Sequence, residues 1–399
     1  MQAGSSLLDL TPGPLAWSAK ATSIAGIQRA LAGIWSAAPD AAVGPDGERH
    51  VVARTSVLNF VAIAASPEGA TRVLAAVGSL TGRHPSRTIV VEPRDAEGPR
   101  RVEAEVTASC VLPRGTGTAV CTEIIRLRAG GDAGRHLASI VPPLLVHDLP
   151  VALWWPEDVP FHRPDFVALL TRAVQADRLI VDGSAWHGDG LAGIRGLAAA
   201  QLASGIAISD FALMRQSRWR DAIASAFDGP DLLPFLRSIR SVTVEYTASR
   251  ADPAGTNVVR PLYHAAWIGS RLGWAAAGPL EAGPDGRRHA TLRRPRGHVD
   301  LALVPVASDL PGGATTRVRI SAERRRSRLD VEVTARAEAV VVRAWRDDEP
   351  PTVRLHHASR RTDADLLAEA VESGGRDPLA TAAIRLAGEI ADPHARIAR

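Results

Sequence analysis

The hydrophobic period changes halfway along this chain, and that change limits the folds open to it. In the first half, short runs with no polar face recur: Val51 to Ala65, Thr88 to Val91, Leu149 to Trp155 and Arg178 to Val181. Helical stretches separate them. Ser66-Pro67-Glu68 opens one with proline at its first position, Val73, Leu74, Val77 and Leu80 form its stripe, and Thr81-Gly82 ends it. Leu137 to Leu145 and Phe166 to Val174 are two more. Strands apolar on both sides and divided by helices predict a largely parallel sheet covered on both faces. Val102 to Leu112 and Cys121 to Leu127 add a strand pair around the turn Pro113-Arg114-Gly115.

The second half alternates instead. Val299, Leu301 and Leu303, then Val318 and Ile320, Leu329, Val331 and Val333, and Val340 with Val342 put one apolar and one polar face on each strand. That is the pattern of antiparallel strands solvated on one side. Helices are expected at Ser217 to Phe227 and Leu262 to Trp274, and a strand at Val242 to Thr247. At the amino end, Ser23 caps a helix carrying Ile24, Ile27, Leu31 and Ile34, and Gly44-Pro45-Asp46-Gly47 reads as a turn. At the carboxyl end two helices follow Thr362 and Asp377-Pro378. The 399 residues exceed what one hydrophobic core ordinarily serves. The expected fold class is therefore α/β and α+β: a helical extension at 1–44, an α/β domain at 45–205 with the largely parallel sheet, an α+β domain at 206–360 with mostly antiparallel strands, and a helical tail at 361–399.

Composition removes several function classes. With 46% hydrophobic and 23% charged residues the chain is neither disordered nor fibrous. No run approaches the ~18 apolar residues that a spanning helix needs. The excess of 47 basic over 43 acidic side chains is small and interspersed, so no nucleic-acid footprint stands out. Lys20 is the one lysine, which leaves arginine to supply nearly every cation. Two cysteines, and a start without a basic segment leading into an apolar run, fit a cytoplasmic protein.

Nothing in the sequence resembles a reacting constellation. Gly188-Asp189-Gly190-Leu191-Ala192-Gly193 spells the dinucleotide fingerprint, but Gly183 to His187 separate it from its strand, which favours an ordinary loop. Cys110 and Cys121 lie on the two strands of the expected pair, where antiparallel pairing is able to bring their side chains within bonding distance. Two readings stand for them, small buried hydrophobes or a redox pair. The twelve histidines offer no metal spacing beyond the adjacent His356-His357, whose rings point to opposite sides of a strand, so neither a metal nor a cofactor is expected. Glu103 with Glu105 and Asp347 with Asp348 read as solvated carboxylates. Arg324-Arg325-Arg326 with Arg328 forms a basic hairpin tip, either plain surface or a seat for an acidic partner.

Tryptophan stands out, with nine indoles against two tyrosines and six phenylalanines. Trp154-Trp155 close an apolar strand at the end where α/β folds place ligands. Arg218-Trp219-Arg220 opens a helix. Trp and Arg dominate protein–protein hot spots. Trp154, Trp155, Arg218, Trp219 and Arg220 are therefore the candidate partner-binding residues; for Trp154 and Trp155 the competing reading is that each ring packs under a different helix.

Several segments in fixed order carry a resemblance. They are Arg54-Thr55-Ser56-Val57-Leu58-Asn59, His84-Pro85-Ser86-Arg87, Cys121-Thr122-Glu123-Ile124-Ile125, the stretch Asp148 to Pro156, Arg178-Leu179-Ile180-Val181-Asp182, Ser217-Arg218-Trp219-Arg220 and Ser270-Arg271-Leu272-Gly273-Trp274. Together they resemble the OpcA family of glucose-6-phosphate dehydrogenase assembly proteins over residues 50 to 275, with a looser continuation beyond. Asp210-Phe211-Ala212-Leu213 departs from the Asp-Leu-x-Trp expected before the Arg-Trp-Arg helix. The resemblance implies a non-enzymatic, allosteric partner of glucose-6-phosphate dehydrogenase that supports its oligomeric assembly and activity in the oxidative pentose phosphate pathway. It names no contact residues. The competing class is an enzyme or sensor that binds a sugar phosphate or a nucleotide such as NADP.

Overall fold

The structure is a computed structural model that describes residues 12–37, 41–43, 49–53, 56–80, 83–94, 98–111, 118–131, 136–163, 165–249, 252, 255–283, 285–392 and 394. The turns expected at Gly44 to Gly47 and Pro113 to Gly115, and the helix end at Thr81-Gly82, lie outside these residues. The chain divides into two compact units. One comprises Met1–Glu157, Asp165–Ile180 and Asp363–Glu372, the other Asp158–Pro164, Val181–Thr362 and Ser373–Arg399.

The first unit is built on a mixed sheet. Its strands are β1 (Pro12–Ala21), β2 (Ala41–Val43), β3 (Arg49–Ala53), β4 (Leu58–Ile63), β5 (Ser86–Pro93), β6 (Arg101–Val111), β7 (Thr118–Gly130), β8 (Val151–Trp155) and β9 (Arg178–Val181). They run in the order β1-β6-β7-β5-β4-β8-β9, with β3 on β7 and β2 on β3. β4 is parallel to β5 and β8, and β5 to β7. β4 and β8 are buried at every position, which is why their sequences carry no polar face. The sequence expectation of a single run from Val51 resolves into two strands, β3 and β4. β1 was not anticipated. It starts at Pro12-Gly13-Pro14 without an alternating pattern and is held antiparallel to β6, so its strand character comes from the partner. The helix Pro67–Gly78 begins as expected, with Ser66 Oγ accepting from Gly69 N at 2.9 Å, and buries Val73, Ala76 and Val77.

Cys110 and Cys121 are directly opposed on β6 and β7, 4.0 Å apart at Cα, and are joined by a disulfide. They are therefore bridged, in place of two separate buried thiols, and the bond is buried. Replacing both with serine is expected to lower stability by about 2–3 kcal/mol, because the bridge closes a short ring in the unfolded chain. A lower urea midpoint is the readout, with a slope that rises as the unbridged unfolded chain expands.

The second unit has its own sheet. β10 (Ala207–Asp210) precedes it, and β11 (Ile239–Thr247), β12 (Ala275–Ala276), β13 (Glu281–Ala282), β14 (Arg288–Arg294), β15 (Gly297–Val306), β16 (Thr315–Arg324), β17 (Ser327–Ala335), β18 (Ala339–Arg346) and β19 (Thr352–His357) follow in sequence. The order is β12-β14-β15-β11-β16-β17-β18-β19, with β13 on β14. β11 and β15 pair parallel, whereas β11–β16, β12–β14, β13–β14, β14–β15, β16–β17, β17–β18 and β18–β19 pair antiparallel. The alternation read from sequence is real: Val242, Val244, Leu301, Leu303, Val318, Ile320, Val331 and Val333 are buried. On the other side Glu245, Arg317, Arg319, Glu332 and Arg343 form a ladder of ion pairs. Arg325 turns the β16–β17 hairpin at φ 58°, so the basic run does sit at a tip.

Helices Leu191–Ser204, Val259–Arg271 and Pro378–Ala391 pack together in this unit. Their backbones come close: a Cβ at Gly388 would strike the methyl of Ala198. Among the described residues no helix is long and apolar enough to cross a membrane.

Candidate functional site

The strand end singled out by its indoles lies in the first unit. Trp154 and Trp155 leave β8 on opposite faces, and both are covered, at 0% and 7% exposure. Trp154 meets Phe60 at 6.2 Å and lies under the Arg72 guanidinium at 5.8 Å. Trp155 packs edge-on against Phe166, 5.6 Å away. Neither ring is presented to a partner in this conformation. Just beyond them, Glu157 accepts from Ser66 N at 3.2 Å, and also from Ala65 N and Ser66 Oγ, so its carboxylate secures the start of the helix Pro67–Gly78. Arg72 Nη1 donates to Pro156 O at 3.1 Å, and Nε is paired with Asp363. The arrangement reads as a packed and polar-latched corner.

A denser constellation lies in the second unit, around the helix Ser217–Ser225. Here too the indole is inside. Trp219 is 9% exposed, with its ring 5.1 Å from that of His264. Arg218 points out at 62% exposure, 3.6 Å from Asp221, and Arg220 Nη1 donates to Leu213 O at 3.3 Å. Helical spacing explains the split. Consecutive residues on a helix point about 100° apart, so the indole of Arg218-Trp219-Arg220 enters the core while Arg218 leaves it and Arg220 stays half-buried.

Behind Trp219 sits a buried polar layer that sequence reasoning did not single out. Asp210 ends β10. Its Oδ1 accepts from Gly183 N at 2.9 Å and Ala212 N at 2.8 Å, and its Oδ2 accepts from the Tyr263 hydroxyl at 2.7 Å. Burial nevertheless pushes its pKa up to about 6, since the hydrogen bonds only partly offset the lost hydration. Tyr263 is pushed well above its ordinary range, first by burial and then by the Asp210 charge. His264 is buried with both ring nitrogens unpartnered, and burial, helped by Arg260 and Arg220, brings its pKa down to about 3. Asp182 takes a fork from Arg215, Nη1 to Oδ1 at 2.8 Å and Nη2 to Oδ2 at 3.1 Å, and a hydrogen bond from Ser184 Oγ at 2.6 Å. Such perturbed groups mark candidate sites. Asp210 and Tyr263 are sealed from solvent, so they are suited to holding the layer rather than meeting a substrate. The available signal was the pair Arg260 and His264, four residues apart on one face of an otherwise apolar helix.

The glycine fingerprint has a packing role. Asp189 Oδ1 accepts from Leu191 N at 3.0 Å, and its Oδ2 pairs with Arg288 at 3.0 Å, so a carboxylate already occupies the helix start where a pyrophosphate would sit. A Cβ at Gly193 would collide with the Trp186 ring. Among the described residues no group of three His, Cys, Asp or Glu side chains is placed to hold a metal ion.

Comparison with known proteins gives the rest. A family model described as the glucose-6-phosphate dehydrogenase subunit N-terminal domain matches residues 77–198, and one described as the C-terminal domain of that subunit matches 206–384. A Synechococcus elongatus protein provisionally named OxPP cycle protein OpcA is 26% identical over 193 residues, 48% of this chain and 40% of that protein. The match thus spans less than half the length of this relative. A solved Bacillus subtilis chain, yvaA, provisionally described as an oxidoreductase, aligns at a TM-score of 0.43 and 10% identity, over 86% of this chain and 98% of that one. The two family models match in order and together cover more than half of the residues, so the chain belongs to the OpcA family of glucose-6-phosphate dehydrogenase assembly proteins.

Proposed function

We propose that this chain is a non-catalytic assembly factor and allosteric activator, which binds glucose-6-phosphate dehydrogenase in the cytoplasm and supports its oligomerisation and activity in the oxidative pentose phosphate pathway. The observation that carries this reading is the ordered match to both OpcA domain models. The relative named for the OxPP cycle supports it. Physically, a binder activates only to the extent that it prefers the active form of its enzyme. Arg218 and Arg220 are the groups we assign to the contact, with Trp219 as the buried wedge that sets their direction; arginines at a rim with a rigid aromatic behind them suit such a role.

Stoichiometric addition of the purified chain to the dehydrogenase is expected to lower KM for glucose 6-phosphate or raise kcat, and to shift the enzyme to a larger species in size-exclusion chromatography. The isolated chain should turn over no glucose 6-phosphate. Replacing Arg218 and Arg220 together by glutamate should weaken the activation about tenfold or more. Unchanged kinetic constants and an unchanged enzyme size on mixing would refute the reading.

A further inference from the structure

The last strand of the second sheet, β19, pairs with β18 on one side, and no described strand lies on its other side. Its inner face is held in place. Arg354 Nη1 donates to the backbone carbonyl of Ser225, and His356 Nε2 lies 2.9 Å from the Ser225 hydroxyl. Val353 and Leu355 point to the opposite face, where they are 57% and 72% exposed. Their backbone groups are open as well. Ala358 N donates to Glu338 O across the ladder at 2.8 Å, and inward bonding alternates along an antiparallel strand. The N–H and C=O groups of Val353, Leu355 and His357 therefore point away from β18, toward the free edge.

Natural sheet edges are blunted by charges, prolines or bulges, and a regular apolar edge is a template for another strand. β19 runs beside β18 without a bulge, and Pro350 and Pro351 stand before it rather than within it. Its flanks select the strand that fits. Asp348 and Glu349 precede β19 and Arg360 follows it; all three are exposed and enter no ion pair among the described residues. The stretch is thus acidic at one end and basic at the other. An antiparallel copy of itself sets each acidic end against a basic one, twice by symmetry. Backbone alternation allows only registers that oppose outward-pointing residues. A register centred on Arg354 would set that cation against its own copy. Centring on Leu355 places Leu355 opposite Leu355 of the second copy and Arg354 opposite His356 of the second copy, which avoids the repulsion.

We propose that β19 is a self-association surface, through which two copies of this chain join their second sheets edge to edge, antiparallel, about a two-fold axis at Leu355. The pairing satisfies the open main-chain groups, covers the exposed Leu355 with its own copy, and is bracketed by the Asp348–Glu349 and Arg360 ends. A two-fold contact of this kind closes on itself, so it yields a dimer and no filament. The surface does not depend on the dehydrogenase reading, because the isolated chain contains all of it.

The test is sedimentation velocity of the full chain, without the dehydrogenase, from about 1 to 100 μM. A concentration-dependent monomer–dimer equilibrium is expected. Leu355→Lys sets two ammonium groups face to face at the axis and should weaken dimerisation about tenfold or more. The side chain is exposed, so the variant keeps its fold, and an unchanged Tm of the dilute monomer checks that. Arg360→Glu should weaken the dimer about threefold, since the ion pairs it removes are solvent-exposed. Leu355→Cys under mild oxidation should give a covalent dimer, because directly opposed residues of this type lie about 5.5 Å apart at Cα, within disulfide reach. A chain that stays monomeric over the whole range, a dimer that Leu355→Lys leaves undiminished, or no covalent dimer from Leu355→Cys overturns the proposal. A monomeric chain whose binding to the dehydrogenase is weakened by Leu355→Lys also overturns it, and assigns the edge to that enzyme.

Discussion

Replacing Glu123 by alanine is expected to destabilise the first unit by about 3–5 kcal/mol, the usual loss when one member of a buried ion pair is removed. Glu123 lies on β7 with its carboxylate almost wholly enclosed. Oε2 accepts from Arg87 Nε at 2.6 Å, and Oε1 accepts from the Trp35 indole N–H. Arg87 in turn donates through Nη1 to Leu144 O at 3.1 Å. One carboxylate therefore ties β7, β5, the helix Ile24–Ala37 and the turn at Leu144 together. Alanine leaves the buried Arg87 charge with no carboxylate opposite it and takes away the carboxylate that accepts from the Trp35 indole. Replacing Arg87 and Glu123 together by methionine should recover most of the loss, since no uncompensated charge remains. Chemical denaturation followed by fluorescence measures both. A change below 1 kcal/mol for Glu123→Ala would show that water reaches the pair.

A second large effect is expected in the acid dependence of stability. His264 has a folded-state pKa of about 3, below its ordinary 6.5, so between these values the unfolded chain holds a proton that the folded chain lacks. Stability from this group is complete above pH 6.5 and falls as pH drops toward 3, by about 1.4 kcal/mol per unit. Asp210 works in the opposite sense. Its folded-state pKa of about 6 exceeds the ordinary 3.8, so the folded chain holds the extra proton and stability rises as pH falls through that window. Between about pH 4 and 6 the two slopes cancel, and the wild type should be flat with respect to this pair. His264→Phe keeps a ring against Trp219 and removes the ionisation, so its stability relative to wild type should climb toward acid. Asp210→Asn keeps an acceptor for Gly183 N and Ala212 N, and should lose stability on the same path. Urea midpoints at three pH values between 4.5 and 6.5 decide it. Parallel curves for wild type and His264→Phe would mean that the imidazole titrates normally.

Much of this architecture was legible before any coordinates. Runs such as Leu149 to Trp155 have no polar face, and only a strand buried on both sides tolerates that; β8 is covered throughout. Alternation at Val299, Leu301 and Leu303, or at Leu329, Val331 and Val333, required one wet face, and the arginine–glutamate ladder occupies it. Caps at Ser66 and Asp377 worked as their chemistry demands. These features depend on neighbours within a turn or two along the chain, so local sequence determines them.

Long-range placement was not legible. β1 exists because β6 offers it an edge, and nothing in its own residues says so. Whether a tryptophan is a handle or a wedge depends on what covers it: Trp154, Trp155 and Trp219 are enclosed, while Arg218, next to Trp219 in sequence, is exposed and pairs with Asp221. Asp182, Asp210, Arg215, Arg260 and His264 are spread over more than eighty positions and come together only through packing. By itself the sequence determined the type of the strongly patterned elements, the two-part division of pattern and the family likeness, because period and composition are local quantities. The tertiary structure alone decided which polar groups lost their water, since burial is a property of the whole packed unit and of no segment within it.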